Sequence, residues 1–201
     1  MTILAHRGLW RVESEKNMLF AIERAFMSGY GVETDIRDYR GELVISHNPA
    51  DESAPKFDDL LHIHSQYGGT RVLALNIKAD GLYLLLPGLP QTAFLFDASV
   101  PEQYVYIKRG YNIFTRASEF EPNPAFWEQS KGVWLDRFTD CDYIDKSIEK
   151  LLDSGKIVSV VSPELHKLEY SALWERLLRY KNRDNLYLCT DKPNEAEVFF
   201  K

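Results

Sequence analysis

Short, continuous apolar runs alternate with amphipathic stretches along this chain. Thr2 to Ala5 reads as a buried strand that delivers His6-Arg7-Gly8 at its carboxyl end. Glu15 to Ser28 then carries Leu19, Ile22, Ala25 and Phe26 at a helical period, and Gly29 closes it. Val32 to Ile36 is the next strand. Turn formers at Asp38 to Gly41 and the alternation over Glu42 to Ser46 predict a hairpin-like excursion that brings the chain back to His47. A short helix around Asp58 to His64 leads to a third strand, Val72 to Lys78, which is too apolar to be half exposed. Ala93 to Phe96, Asn112 to Thr115, Gly132 to Leu135, Ile157 to Val161 and Leu186 to Cys189 are further strands. Helices are expected at Val100 to Arg109, Tyr143 to Asp153, Glu164 to Tyr180 and from Pro193 to Phe200, with only a helical turn at Leu82 to Leu86.

Eight alternations of this kind predict a parallel sheet covered by helices, closing into a (β/α)8 TIM barrel. The chain's 201 residues fall short of the roughly 250 typical of that fold. A small version is therefore expected, with one or two helices abbreviated among those after the third, fourth and fifth strands. An open doubly wound sheet is the alternative, but no Gly-rich phosphate loop follows the first strand. Length and a 45% hydrophobic content suit a single domain over 1–201. A formal charge of −6 argues against a nucleic-acid or anionic-membrane surface and leaves phosphate binding as a local matter. Cys141 and Cys189 lack metal-ligand spacing and read as free thiols of a reducing compartment. With no signal-like start and no run of membrane-span length, a cytoplasmic location is expected. Oligomeric state is left open.

Chemistry concentrates at the strand ends. In a strand, Glu33 and Asp35 leave the same face, a pair suited to a hard divalent cation or, more plainly, to pairing with Arg37 or Arg40. The other ends carry His6 and Arg7, Asn76 and Lys78, Asp97, Arg116, Asp136, Ser162 and Glu164, and Thr190 with Asp191. Barrel active sites form at this rim. His62, His64 and His166 have no evident partners and read as surface residues, while Phe94, Phe96, Trp127 and Trp134 read as core.

Several local signatures together resemble the glycerophosphodiester phosphodiesterase family of the phosphatidylinositol-specific phospholipase C-like barrels. They are Ala5-His6-Arg7-Gly8, Asn17 entering a helix, Glu33-Thr34-Asp35, His47 after a hairpin, Leu75-Asn76-Ile77-Lys78, and the ending Cys189-Thr190-Asp191-Lys192-Pro193. Residues 82–186 add little to the likeness. The resemblance implies a phosphoric diester hydrolase acting on a small soluble glycerophosphodiester-like substrate. In it His6 and His47 form an acid–base pair, Arg7 and Lys78 bind phosphate, and Glu33, Asp35 and Asn76 hold a Mg²⁺ or Ca²⁺ ion; Arg116, placed by its strand end and not by the likeness, is expected to join the phosphate-binding residues. Asn76 stands where the family carries a carboxylate, which removes one negative charge from the cage; Asp97 or Asp136, at other strand ends, are expected to compensate. Lys16-Asn17 and His47-Asn48 stand where the family has Glu-Asn and His-Asp. A lyase that releases a cyclic phosphate and a non-catalytic barrel binding a phospho-sugar or polyol are the rival readings.

Overall fold

A computed structural model of the protein describes residues 1–139 and 142–201. The expected alternation forms one sheet. Its parallel strands are β1 (Thr2–His6), β2 (Gly31–Tyr39), β4 (Leu73–Ile77), β5 (Ala93–Phe96), β6 (Phe114–Ala117), β7 (Gly132–Leu135), β8 (Ile157–Val161) and β9 (Leu186–Thr190). The antiparallel β3 (Glu42–Ile45) pairs with β2 alone. In space the order is β5-β4-β2-β1-β9-β8-β7-β6. A parallel bridge from Leu95 to Ile113, with the Leu95 N–H donating to the Asn112 carbonyl at 2.9 Å, draws the two ends together into a nearly closed TIM barrel.

Period-two alternation sorts the side chains. Ala5, Val32, Ile36, Leu73, Leu75 and Ile77 face outward and pack under α1 (Leu19–Met27), α2 (Phe57–Gln66) and α3 (Val100–Lys108). A matching shell of Val133, Leu135, Val158, Val160, Leu186 and Leu188 packs under α4 (Tyr143–Asp153), α5 (Ser171–Leu177) and α6 (Pro193–Phe200). Inside the barrel, Phe94 stacks on Phe114 at 3.6 Å between centroids, and Phe96 stacks on Trp134 at 3.9 Å. These rings fill the β5–β7 half of the interior. The β9, β1, β2 and β4 half is instead topped by charged side chains, so the barrel is apolar on one flank and ionic on the other.

Two of the middle helices are abbreviated, as expected: the segments after the third and fifth strands shrink to a single 3-10 turn over Leu82–Leu84 and to loop, while the fourth strand keeps a full helix, α3, with proline near its start where the missing N–H is harmless. Two expectations are corrected. The long helix expected over Glu164 to Tyr180 is broken. A 3-10 turn over Pro163–His166 ends at Lys167 in the left-handed region (φ 61°), and α5 starts anew at Ser171, whose N–H and hydroxyl both donate to the Glu169 carboxylate. The first helix begins later than expected, at Leu19, after a separate 3-10 turn over Glu13–Glu15. Cys189 is free and buried in the barrel interior; Cys141 lies outside the described residues.

Candidate active site

The rim begins with the end of β1. Arg7 adopts a left-handed conformation (φ 58°) that is costly for a side-chain-bearing residue. Its N–H donates to the Glu33 carbonyl at 2.8 Å, and its own carbonyl accepts from the Asn17 N–H at 2.9 Å, which fixes the turn. Gly8 follows at φ 91°, and a Cβ there would lie 2.7 Å from the backbone carbon of Ala21. Only glycine lets α1 come this close, and that approach turns Arg7 back over the barrel mouth.

Neighbouring strands then bring the ionic side chains together. Register pairs His6 with Glu33 and Asp35 with Asn76. Asp35, fully buried, accepts from the Asn17 amide at 2.8 Å, while the Arg7 Nε lies 2.8 Å and the Lys78 ammonium 3.2 Å away. Burial alone would raise the Asp35 carboxyl. The charges of Lys78 and Arg7, the Asn17 amide and the nearby His47 outweigh burial and hold it below its ordinary value. Glu33 lacks that support: burial and the Asp35 charge push it up to about 7.

His6 sits between acids, with Nδ1 2.6 Å from Asp191 Oδ1 and Nε2 3.8 Å from Glu33 Oε2. In the neutral ring the Asp191 contact places the proton on Nδ1, which leaves Nε2, on the side of Glu33, as the acceptor. Asp191 is itself held. Its N–H donates to Glu164 at 3.2 Å, and Glu164 also accepts from the hydroxyls of Thr190 and Ser162. Burial pushes the Asp191 carboxyl up, but the His6 hydrogen bond and the charges of His6 and Lys16 bring it below its ordinary range.

His47 arrives as expected from the hairpin. The two-residue turn is Arg40–Gly41, both at positive φ, so β2 extends through Asp38 and Tyr39, further than expected. The Ser46 N–H donates to the Asp35 carbonyl at 3.1 Å, returning the chain to the rim. His47 is exposed, touches neither His6 nor Glu33, and bonds the Asn48 amide oxygen through Nδ1 at 3.0 Å. It lines a cavity of about 470 Å³ together with Arg7.

The remaining expected residues lie elsewhere on the rim. Arg116 is occupied by Asp97 at 3.3 Å and by Glu121, and stands over the Phe138 ring. Asp136 accepts from the Arg137 N–H and bonds His166 Nε2, both at 2.8 Å. Asp97 and Asp136, expected to compensate for the charge missing at Asn76, have partners of their own in Arg116 and His166. His64 and His166 are not the surface residues the sequence suggested. His64 is buried against Phe26 with Nε2 on the Arg71 carbonyl, and His166 is bound to Asp136.

Sequence reasoning gave no role to Asp191, Asn17 or Glu164. Barrel closure makes the first and last strands neighbours, with Ala5 opposite Thr190, so Asp191 had to lie beside His6. That inference was available from the predicted fold.

The expected ion can be tested on the donor atoms. Glu33 Oε2, Asp35 Oδ1 and Asn76 Oδ1 are all buried and accept no hydrogen bond among the described residues, one oxygen from each expected ligand, although the Lys78 ammonium lies 3.2 Å from the Asp35 oxygen and His6 Nε2 3.8 Å from the Glu33 one. Hard oxygen donors on adjacent strands, beside a glutamate whose negative charge is under-compensated, fit Mg²⁺ or Ca²⁺. The set is short of carboxylates: among the described residues no three His, Cys, Asp or Glu are grouped to hold an ion.

No protein-family model matches this sequence, and no curated protein does. Solved structures do match in fold. A glycerophosphodiester phosphodiesterase from Parabacteroides distasonis superposes with a TM-score of 0.74 at 14% identity, covering 99% of this chain and 96% of that one. A phosphodiesterase from Oleispira antarctica, solved with its product sn-glycerol-3-phosphate, superposes with a TM-score of 0.67 at 15% identity over 99% and 96% of the two chains.

Proposed function

We propose that the protein is a phosphoric diester hydrolase acting on a small glycerophosphodiester-like substrate with a hydroxyl beside the phosphate. The observation that carries this reading is the convergence of His6, Arg7, Glu33, Asp35, Asn76 and Lys78 on one flank of a barrel rim, with His47 across a cavity that Arg7 also lines. The barrel likeness to phosphodiesterases supports it.

A phosphodiester resists attack until its anionic oxygens are neutralised. Arg7 is built for this: its Nε is anchored on Asp35, and among the described residues its two terminal nitrogens have no partner, which leaves them to fork onto phosphate. Lys78, fixed on the other oxygen of Asp35, adds positive charge from below. Glu33, Asp35 and Asn76 would hold Mg²⁺ or Ca²⁺, which supplies further neutralisation of the phosphate oxygens. His6 Nε2 takes the proton of the attacking hydroxyl while Asp191 steadies the imidazolium that forms. His47, on the open side, gives a proton to the departing alcohol oxygen. Water then opens the cyclic phosphate as the two histidines exchange roles.

Arg116 is left out of phosphate binding because two carboxylates already hold it. The reading is tested by assaying bis(p-nitrophenyl) phosphate and a glycerophosphodiester with Mg²⁺, Ca²⁺ or Mn²⁺, wild type beside His6→Ala and Glu33→Ala. Activity lost in both variants is expected, and equal rates in all three proteins would exclude an enzyme at this site. A cyclic product that never opens would assign the chain to the lyases.

A further inference from the structure

The cavity beside Arg7 has a second cation in its wall. Lys16 lines it, as do His47 and Asn48 opposite. Because His47 is the group placed to protonate the departing alcohol, that alcohol occupies this cavity. Its wall is mostly polar, and of its two acids, Glu13 and Asp51, only Glu13 answers the lysine. The Asp51 carboxylate is bound within its own loop by the Ser53 N–H at 2.9 Å and the Ser53 hydroxyl at 2.6 Å.

Lys16 is held rather than free-swinging. Its ammonium lies 4.3 Å from the Trp10 ring centroid, 3.0 Å from Glu13 and 3.6 Å from Asp191, with 17% of the side chain exposed. The Glu13 partner is 79% exposed, so that pair is screened by solvent and is easily exchanged for a better-placed anion. Asp191 is shared: its Oδ1 is bound to His6 at 2.6 Å, and only its second oxygen faces Lys16, at 3.6 Å and beyond hydrogen-bond distance. Lys16 therefore presents an ammonium at a fixed position, with one exposed and exchangeable close partner, to whatever fills the cavity.

We propose that Lys16 is a specificity residue that selects substrates whose departing alcohol carries an acid group, a carboxylate or a second phosphate, against those carrying a quaternary ammonium. This rests on the phosphodiesterase reading above, since the cavity holds the departing alcohol only if His47 serves it.

The test uses four glycerol phosphodiesters, esterified to glycerate, to glycerol phosphate, to glycerol and to choline. Kcat/KM is measured for wild type, Lys16→Met and Lys16→Glu. Binding of the same four is measured by calorimetry on His6→Ala with and without Lys16→Met. Ratios between substrates cancel any effect of Lys16 through Asp191 on His6. Wild type should favour an acid-bearing ester over the glycerol ester by about tenfold, as expected for gaining one charge-assisted bond. Lys16→Met should bring that ratio near one, and Lys16→Glu should turn the preference toward choline. The two acid-bearing esters separate carboxylate from phosphate as the preferred group. A ratio unmoved by Lys16→Met overturns the proposal. If wild type hydrolyses none of the four, Lys16-dependent binding of the acid-bearing esters would keep the selectivity and discard the phosphodiesterase, whereas binding indifferent to Lys16 discards both.

Discussion

Replacing Asp191 with asparagine isolates its charge from its shape. The 2.6 Å contact from Asp191 Oδ1 to His6 Nδ1 is a short, charge-assisted hydrogen bond, and the amide that replaces it keeps an acceptor in the same place. Hydrogen bonds to charged groups contribute about 1.5–3 kcal/mol net. If that contribution is realised mainly when His6 becomes an imidazolium, the barrier rises by the same amount, and kcat falls about 10- to 150-fold at 1.36 kcal/mol per decade. KM for the glycerol ester should change less than about threefold, because Asp191 does not touch the anchor of Arg7 and meets the cavity wall through Lys16, which that uncharged alcohol does not pair with. Asp191→Glu should recover part of the loss. Stability moves separately. The Asp191 carboxyl is held below its ordinary value, so its stabilising contribution is fully present above the unfolded value near 3.9 and is lost as pH falls through the lower folded value. Asp191→Asn should therefore be less stable than wild type at pH 7 and converge with it in acid. The assay is steady-state kinetics on the glycerophosphodiester beside thermal melts from pH 3 to 8. Wild-type kcat in Asp191→Asn, or a loss expressed wholly in KM, would refute the positioning role.

Three further outcomes follow from the same geometry. Glu33 is pushed up to about 7, so the folded state gains stability from its proton below about pH 4.5 and loses that gain as pH rises through about 7. Without added metal, the melting temperature of Glu33→Gln relative to wild type should climb over that window, and parallel curves would contradict the burial argument. A divalent cation at a hundredfold its Kd should stabilise wild type by about 2.7 kcal/mol; Glu33→Gln should lose most of this, and an undiminished response in calorimetry would place the ion elsewhere. His166 is raised by its hydrogen bond to Asp136, so its contribution is complete below the unfolded value near 6.5 and is lost as pH rises through the higher folded one. Melts of His166→Gln from pH 5.5 to 8.5 should lack that decline, and an unchanged slope would show that the bond contributes nothing.

What could be read from the sequence, and what could not, divides along one physical line. The inward face of a barrel strand is fixed by period-two alternation. His6, Glu33, Asp35, Asn76 and Lys78 could therefore be assigned to the rim from spacing, and their register neighbours from strand order. The hairpin that returns His47 was legible for the same reason, since turn chemistry and alternation are local. Partner choice is not local. Whether Lys78 meets Asp35 or a ligand, and whether Arg116 is free or bound by Asp97 and Glu121, is decided by side chains from strands and loops distant in sequence. The broken helix after β8 has the same origin. Its first turn carries apolar and charged residues that suit a helix, yet Glu164 bonds Ser162, Thr190 and the Asp191 N–H, while His166 turns onto Asp136. Those bonds satisfy buried polar groups at the rim, and leaving such groups unpaired costs about 1–3 kcal/mol each, more than helix propensity offers over one turn. The segment therefore gives up its helix where doing so holds Asp191 against His6, and a departure from local preference of this kind, found at a strand end, points to the site itself.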